Sequence, residues 1–249
     1  MTTFASIACA LTDALSLNRP PISVSFADQI PAGVPIFSGT VPAGCRFWQE
    51  GADHVFATVA RDHELCAIGV YTHNLESTSA RQKDLGDALK VFSDLGYVRP
   101  ADLSFIPVLN RKAKTIIYGP LGIVPIGPDV VLLFARADQT LILSEAAQQL
   151  ENALPPAMGR PACAIVSQAY NSGRTALSAG CCGARAYLDV LKPEIALYAV
   201  PGSILEPFTE RVVELARANR VLTAFHALRR SDIEAGRRPS IEESLAAMS

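Results

Sequence analysis

Five of the six cysteines lie near the expected ends of helices or strands, where ligand and catalytic residues tend to be placed. Cys45 follows a Pro/Gly loop in VPAGCRFW, Cys66 lies in HELCAIG, Cys163 follows GRPA, and Cys181 and Cys182 lie between glycines in SAGCCGARAY. Thiolates are soft ligands that favour iron–sulfur clusters and zinc. No C-x-x-C pair is present, so the spacing alone leaves buried, non-ligating cysteines as the alternative.

A metal site acting on a small polar substrate also needs groups that transfer protons and bind anions. His63, Glu64 and His73 flank Cys66, and a histidine can titrate near neutral pH, so these three are the candidate catalytic residues. The fork of an arginine suits a carboxylate, and a turn of backbone amides can bind an anion. The candidate substrate-binding residues are therefore Arg46, Arg174, Arg185, Tyr118 and Asn171. Surface arginines, structural histidines and aromatic packing are the alternatives.

Charge and motifs exclude several function classes. A formal net charge of −2 gives no electrostatic reason to expect nucleic acid. The chain has no G-x-x-x-x-G-K-[ST], G-x-G-x-x-G or G-x-S-x-G, so nucleotide binding and a serine hydrolase lack support. The start has no basic leader, and no apolar run is long enough to span a membrane. We therefore expect a cytoplasmic protein with reduced cysteines, and homo-oligomerisation stays open.

Hydrophobic periodicity predicts both helices and strands. The predicted strands are 22–26, 54–60, 115–119, 129–135 and IALYAVPGS, and the predicted helices are the first 15 or so residues, 76–95, 138–154 and a long last helix. A capping box of Ser203 and Glu206 is expected to open that last helix, and Cys9 is expected to be buried in the first.

The mixture of elements indicates an α+β class, with mixed α/β as the alternative. We expect a single domain over 1–249, with a mixed sheet flanked by helices and a long C-terminal helix. The Pro/Gly-rich stretch between residues 119 and 129 separates two pseudo-halves, 1–119 and 129–249.

The segment GRPACAIVSQAYNSGRTALSAGCCGARAYLDV resembles the family of domain of unknown function 169, as do PPISVSF, GCRFW, ELCAIG and PGSILEPFTERV. The resemblance covers nearly the whole chain, and its most specific positions are Asn171, Ser172, Gly173, Arg174, Gly180, Cys181, Gly183 and Arg185. It implies that Cys45, Cys66, Cys163 and Cys181 are the matching cysteines. Ala184 departs from the pattern, because many relatives carry a second cysteine there. The resemblance supplies no reaction.

Four thiolates from separate segments suit an iron–sulfur cluster, four-iron four-sulfur in type, with zinc as the alternative. If three cysteines bind the cluster, the open iron acts as a Lewis acid, which predicts a lyase of the desulfhydrase, desulfurase or hydratase type. Its substrate is expected to be a small anionic molecule that carries a carboxylate. If all four bind, a redox or sensor protein is the alternative, and a zinc-stabilised binding module is the third. Neighbouring side chains diverge, so one of Cys181 and Cys182 is expected to bind and the other to pack.

Overall fold

The strands of the sheet are covered on both faces, and their residues alternate between two cores. The computed structural model describes residues 3–158 and 161–248. Its strands are β1 (Ile22–Ala27), β2 (Phe56–Val59), β3 (Thr115–Pro120), β4 (Val130–Arg136), β5 (Ala157–Met158), β6 (Ala176–Ser178) and β7 (Ile195–Pro201). Within the described residues they form one seven-stranded sheet of order β2-β3-β1-β4-β7-β6-β5. All neighbouring pairs in it are antiparallel except β5 and β6, which are parallel.

The helices are α1 (Phe4–Leu15), α2 (Phe47–Glu50), α3 (Ala67–Thr72), α4 (Ser79–Asp94), α5 (Ala137–Glu151), α6 (Ala164–Ser172), α7 (Leu205–Glu234) and α8 (Ile241–Ala246). One core lies between the sheet and α1, α5 and α7, and contains Val131, Leu133 and Ala135 of β4. The other lies between the sheet and α2, α3 and α6, and contains Val130, Leu132 and Phe134. This period-two alternation is what a strand buried on both faces requires.

The α+β class, the mixed sheet and the long C-terminal helix are confirmed by this architecture. The five predicted strands correspond to β1, β2, β3, β4 and β7, and the four predicted helices to α1, α4, α5 and α7. The sequence analysis assigned no helix to α6. Among the described residues, none of the helices combines the length and the hydropathy that crossing a bilayer requires.

Two local predictions are wrong. Cys9 is exposed, because it lies on the side of α1 opposite Ile7 and Leu11, and its thiol donates to Asp13 Oδ2 over 3.3 Å. Ser203 does not cap α7, because a 3₁₀ turn over Gly202–Ile204 delays the helix, whose N-cap is Ile204 without a side-chain hydrogen bond.

The start of that 3₁₀ turn requires a glycine. The amide of Gly202 donates to the carbonyl of Asp129 over 2.8 Å, and a Cβ at this position would lie 1.8 Å from the carbonyl oxygen of Pro128. Real Cβ atoms do not approach a backbone oxygen so closely. The close approach of the end of β7 to the start of β4 therefore requires glycine, which has no Cβ, at residue 202.

We therefore expect Gly202→Ala to lower the free energy of unfolding by more than about 2 kcal/mol. Gly86→Ala is the matched control, since a Cβ there, on exposed helix α4, meets nothing within 4 Å. That control should raise the free energy of unfolding by about 0.5–1 kcal/mol. Urea denaturation of both variants tests the pair, and equal effects would contradict the clash.

Candidate functional site

Four cysteines lie where a helical turn begins. Cys45 belongs to a 3₁₀ turn, Gly44–Arg46, that leads into α2, whereas Cys66 and Cys163 are the N-cap residues of α3 and α6. Cys181 immediately precedes the N-cap of a π-helical turn over Gly183–Tyr187. All four, together with Cys182, line one cavity of about 510 Å³. The structure thus brings together the four cysteines that were predicted as ligands.

Short hydrogen bonds hold two of these thiols in place. The amide of Gly69 donates to Cys66 Sγ over 3.3 Å, and a Cβ at residue 69 would lie 2.7 Å from that sulfur. The hydroxyl of Thr72 donates to Cys163 Sγ over 3.3 Å, and Ser167 in turn donates to the Thr72 carbonyl over 2.6 Å. The end of α3 and the start of α6 are therefore joined around a sulfur atom.

Burial and mutual proximity make the free thiols weak acids. Burial raises the pKa of Cys45 to about 12, and the nearby Cys66 and Cys181 raise it further. Burial also raises the pKa of Cys66, and it raises the pKa of Cys163 well above the ordinary value, with Cys66 adding to the effect. Each thiolate would repel the next, so the site holds several thiolates only with a compensating positive group.

Tyr118 of β3 lies beneath the thiols. It is fully buried, its ring stacks on Phe47 with centroids 5.7 Å apart, and its hydroxyl has no hydrogen-bond partner. Burial is the main cause that raises the pKa of the phenol. The nearby Cys163, Cys66 and Cys45 raise this pKa further, with effects that decrease in that order. A buried hydroxyl without a partner costs stability. The hydroxyl is therefore an unpaired donor near the thiols, and Tyr118 lies outside the described lining of the cavity.

His63 and His73 form a buried pair behind the cavity, with ring centroids 6.3 Å apart. The hydroxyl of Thr58 donates to the Ile116 carbonyl over 3.3 Å and shares a 3.0 Å hydrogen bond with His63 Nε2. This arrangement assigns the proton to Nε2 and leaves Nδ1, which has no partner, as an acceptor.

The expectation that these histidines titrate near neutral pH is wrong. Burial lowers the pKa of His63 to about 3, with His73 lowering it further, and burial lowers the pKa of His73 to about 4. Both rings are therefore neutral at pH 7. The third catalytic candidate, Glu64, is exposed and pairs with Arg81 over 3.3 Å.

Two of the predicted arginines are engaged with carboxylates outside the described lining of the cavity. Arg46 lies 3.4 Å from Glu50 and lines a separate depression on the surface. Arg174 lies 3.2 Å from Glu151, whose side chain is only 7% exposed. Both guanidinium groups thus have partners within the chain.

Arg185 stabilises the turn that contains it through hydrogen bonds to backbone carbonyls. Its guanidinium donates to the carbonyls of Ala179, Lys192 and Ile195, the last over 3.0 Å. The described cavity lining includes its neighbours Ala184 and Tyr187 but not Arg185. These bonds tie the cysteine turn to the start of β7.

Asn171 joins α6 to the segment before β3. Its side chain accepts from the amide of Asn110 over 2.9 Å and donates to the carbonyl of Val108 over 2.7 Å. The expectation of an anion-binding turn at residues 171–174 is wrong, because this stretch is the end of α6, where carbonyls rather than amides are exposed, with Gly173 as the left-handed C-cap.

Three features of the site were missed by sequence reasoning. Arg81 lines the cavity with its side chain 17% exposed and pairs with Glu64 and with Asp84, the latter over 2.8 Å. The exposure of Cys182 at the cavity was not predicted, whereas Cys181 is partly buried and packs against the core. An apolar stripe of α4 forms one wall, and its helical spacing was the only available signal.

Among residues 3–158 and 161–248, no group of three or more His, Cys, Asp or Glu side chains is arranged to hold a single metal ion. All six cysteines are free thiols. Within the described residues, the four thiols therefore share a cavity lining without forming a tetrahedral metal site.

We expect Tyr118→Phe to raise the free energy of unfolding of the metal-free protein by about 1–3 kcal/mol, because it removes a buried hydroxyl without a partner. Tyr198→Phe is the matched control, since the Tyr198 hydroxyl donates to the Leu143 carbonyl over 3.0 Å. That control should lower the free energy by about 1 kcal/mol. Urea denaturation measures both, and a loss in both variants would show that the Tyr118 hydroxyl has a partner.

The two buried histidines predict a loss of stability in acid. Their folded-state pKa values lie below the unfolded value, so the unfolded chain binds more protons below about pH 6.5. Lowering the pH from 7 to 5 should cost the metal-free protein about 2 kcal/mol for each histidine. His63→Gln should reduce this pH dependence, whereas His226→Gln, at an exposed position, should keep it. Equal pH dependence in both variants would contradict the assignment.

Comparison with known proteins identifies the family but no activity. No curated protein and no solved structure matches the chain. The family model of domain of unknown function 169, described as "Uncharacterised ArCR", matches residues 10–211. The match includes all five cysteines that line the cavity and ends within α7. The chain therefore belongs to the domain of unknown function 169 family.

Proposed function

We propose that the protein binds an iron–sulfur cluster, four-iron four-sulfur in type, through Cys45, Cys66, Cys163 and Cys181. The observation that carries the proposal is that four separate segments present these thiols to one cavity. The unpartnered hydroxyl of Tyr118 is buried nearby, outside the described lining. Iron–sulfur clusters are held by cysteine thiolates, and hydrogen bonds to their sulfurs tune them. A bound cluster would compensate the repelling thiolates and give Tyr118 an acceptor.

We further propose that the cluster supports a non-redox lyase reaction of the desulfhydrase, desulfurase or hydratase type. When bound through three cysteines, it supplies an iron that acts as a Lewis acid. The chain contributes a cavity of small-molecule size next to the thiols, and a proton acceptor in His63 Nδ1, which is neutral and unpartnered. His63 and His73 are both buried behind the cavity, and His63 is preferred because a Cβ on Gly44 would lie 3.0 Å from its Nδ1 and 4.0 Å from Cys66 Sγ, which places this ring next to a cavity thiol. Glu64 stays a weaker candidate, because it is exposed in an ion pair.

An anionic end of the substrate would bind at Arg81, in place of the three arginines expected from the sequence. Arg81 lines the cavity, whereas Arg46, Arg174 and Arg185 are bound elsewhere. A substrate carboxylate would replace Glu64, whose own side chain is 67% exposed and is solvated when released. We place the protein in the cytoplasm, where six free thiols stay reduced.

A redox or sensor protein is the second candidate, and the fourth cavity cysteine is the observation that favours it. If Cys181 binds together with the other three, every iron of the cluster is ligated by protein and none is open to a substrate. Reversible reduction without turnover would then be the expected behaviour.

Anaerobic purification should yield a coloured protein with iron and acid-labile sulfide in equal amounts. Cys45→Ala should lose the visible absorption and most of the iron, because it removes one of the four thiols. Cys9→Ala is the matched control, since Cys9 is exposed on α1 and lies outside the cavity, and it should keep both. Circular dichroism confirms that each variant folds.

The metal content and the turnover separate the candidates. Release of sulfide from thiones, or dehydration of hydroxy acids, by the wild type but not by Cys45→Ala supports the lyase. Iron and sulfide with reversible reduction and no turnover supports the redox protein. Zinc without sulfide would replace the cluster with a zinc-stabilised module, and an absence of any metal in the wild type would overturn the proposal.

A further inference from the structure

The cavity beside the thiols is built for an apolar molecule. Its described lining includes Arg81 and Asp84 as charged residues, and these two pair with each other over 2.8 Å. Most of the remaining wall is aliphatic or aromatic. Small-molecule sites are typically about 300–1,000 Å³ and mostly apolar, with a few polar groups that orient the ligand. A cavity of about 510 Å³ lies within that range.

Helix α4 supplies a wall of the cavity whose apolar side chains are not buried against a core. Its residues Leu85, Ala88, Leu89 and Phe92 recur at i, i+3, i+4 and i+7, and all four line the cavity. Such a stripe normally packs against a core. Here none of the 16 residues of α4 is buried, so the stripe faces the cavity in place of a core.

A second part of the wall is apolar as well, and α3, which supplies two of its residues, begins directly after Cys66. It includes Ile68 and Tyr71 of α3 and, further along the chain, Leu103 and Ile106. The cysteines lie at the end formed by α3, α6 and the turn after β6, whereas the Arg81–Glu64 ion pair ties α4 to the loop before α3. A ligand between the walls would touch α4 with its body and the thiols with one end.

We infer that this cavity binds a small molecule with an apolar, uncharged body, which packs between α4 and α3 with its reactive end at the cysteines. The inference rests on the proposed function only for what happens at the thiols. Binding of the apolar body depends on the cavity walls and takes place with or without a metal.

Nile red, an uncharged apolar dye, is the probe. Titration into the wild-type protein should give saturable binding of one dye per chain. Ala88→Trp fills the cavity from the α4 wall and should weaken binding at least tenfold. Ala80→Trp is the matched control, because Ala80 is an exposed residue of α4 outside the cavity lining, and it should bind like the wild type. Leu89→Asn, which makes the wall polar without adding bulk, should also weaken binding.

Circular dichroism and iron analysis accompany each titration. Iron and sulfide retained in Ala88→Trp, with dye binding lost, supports the inference. Dye binding by wild-type protein that takes up no metal leaves the inference standing while the cluster proposal fails. A cluster-loaded protein that binds no dye, or binds it equally in all three variants, overturns the inference. A change from dimer to monomer on sedimentation of Ala88→Trp would also overturn it, since the stripe would then pack against a second copy.

Discussion

The burial of both faces of the sheet is the constraint on which the rest of the structure depends. β4 alternates between the two cores, so each of residues 130–135 packs against one layer of helices or the other. One layer holds the long helices α1, α5 and α7. The other is made of the short helices α2, α3 and α6, whose beginnings point their first residues toward a common space. Long helices therefore cover one face of the sheet, and short helices position the thiols on the other face.

The thiol cavity combines features that would be unfavourable in an ordinary core. Buried thiols that raise each other's pKa, a phenol without a hydrogen-bond partner and a histidine with an unpaired nitrogen lie within one region. Polar groups in protein interiors are nearly always satisfied, so a cluster of exceptions indicates either a missing ligand or a functional role. The well-bonded tyrosine of the opposite core, Tyr198, shows that this fold can satisfy a buried phenol.

Helices and strands were predicted from the sequence more successfully than the partners of individual side chains. Periodicity located β1, β3, β4 and β7, because a strand buried on one or both faces reads directly as an apolar run. It missed α6, which with 9 residues is too short to show a clear helical period. The family resemblance selected four cysteines, and the structure places all four at one cavity, while their role as ligands stays a prediction. The arginines were not, because Arg174 and Arg185 lie near cysteines along the chain but bond to groups that only the folded structure brings close, such as Glu151 and the start of β7.

Helix α4 is weakly attached, so opening it costs less free energy than unfolding the sheet and the two cores. With no buried residue and one ion pair to the loop before α3, this helix contributes little to the free energy that holds the sheet and the two cores together. Segments with few buried contacts open in local fluctuations that leave the remainder folded. The wall of the cavity can therefore separate from the cysteines and return without global unfolding, so the entry of an apolar molecule need not depend on the static opening alone.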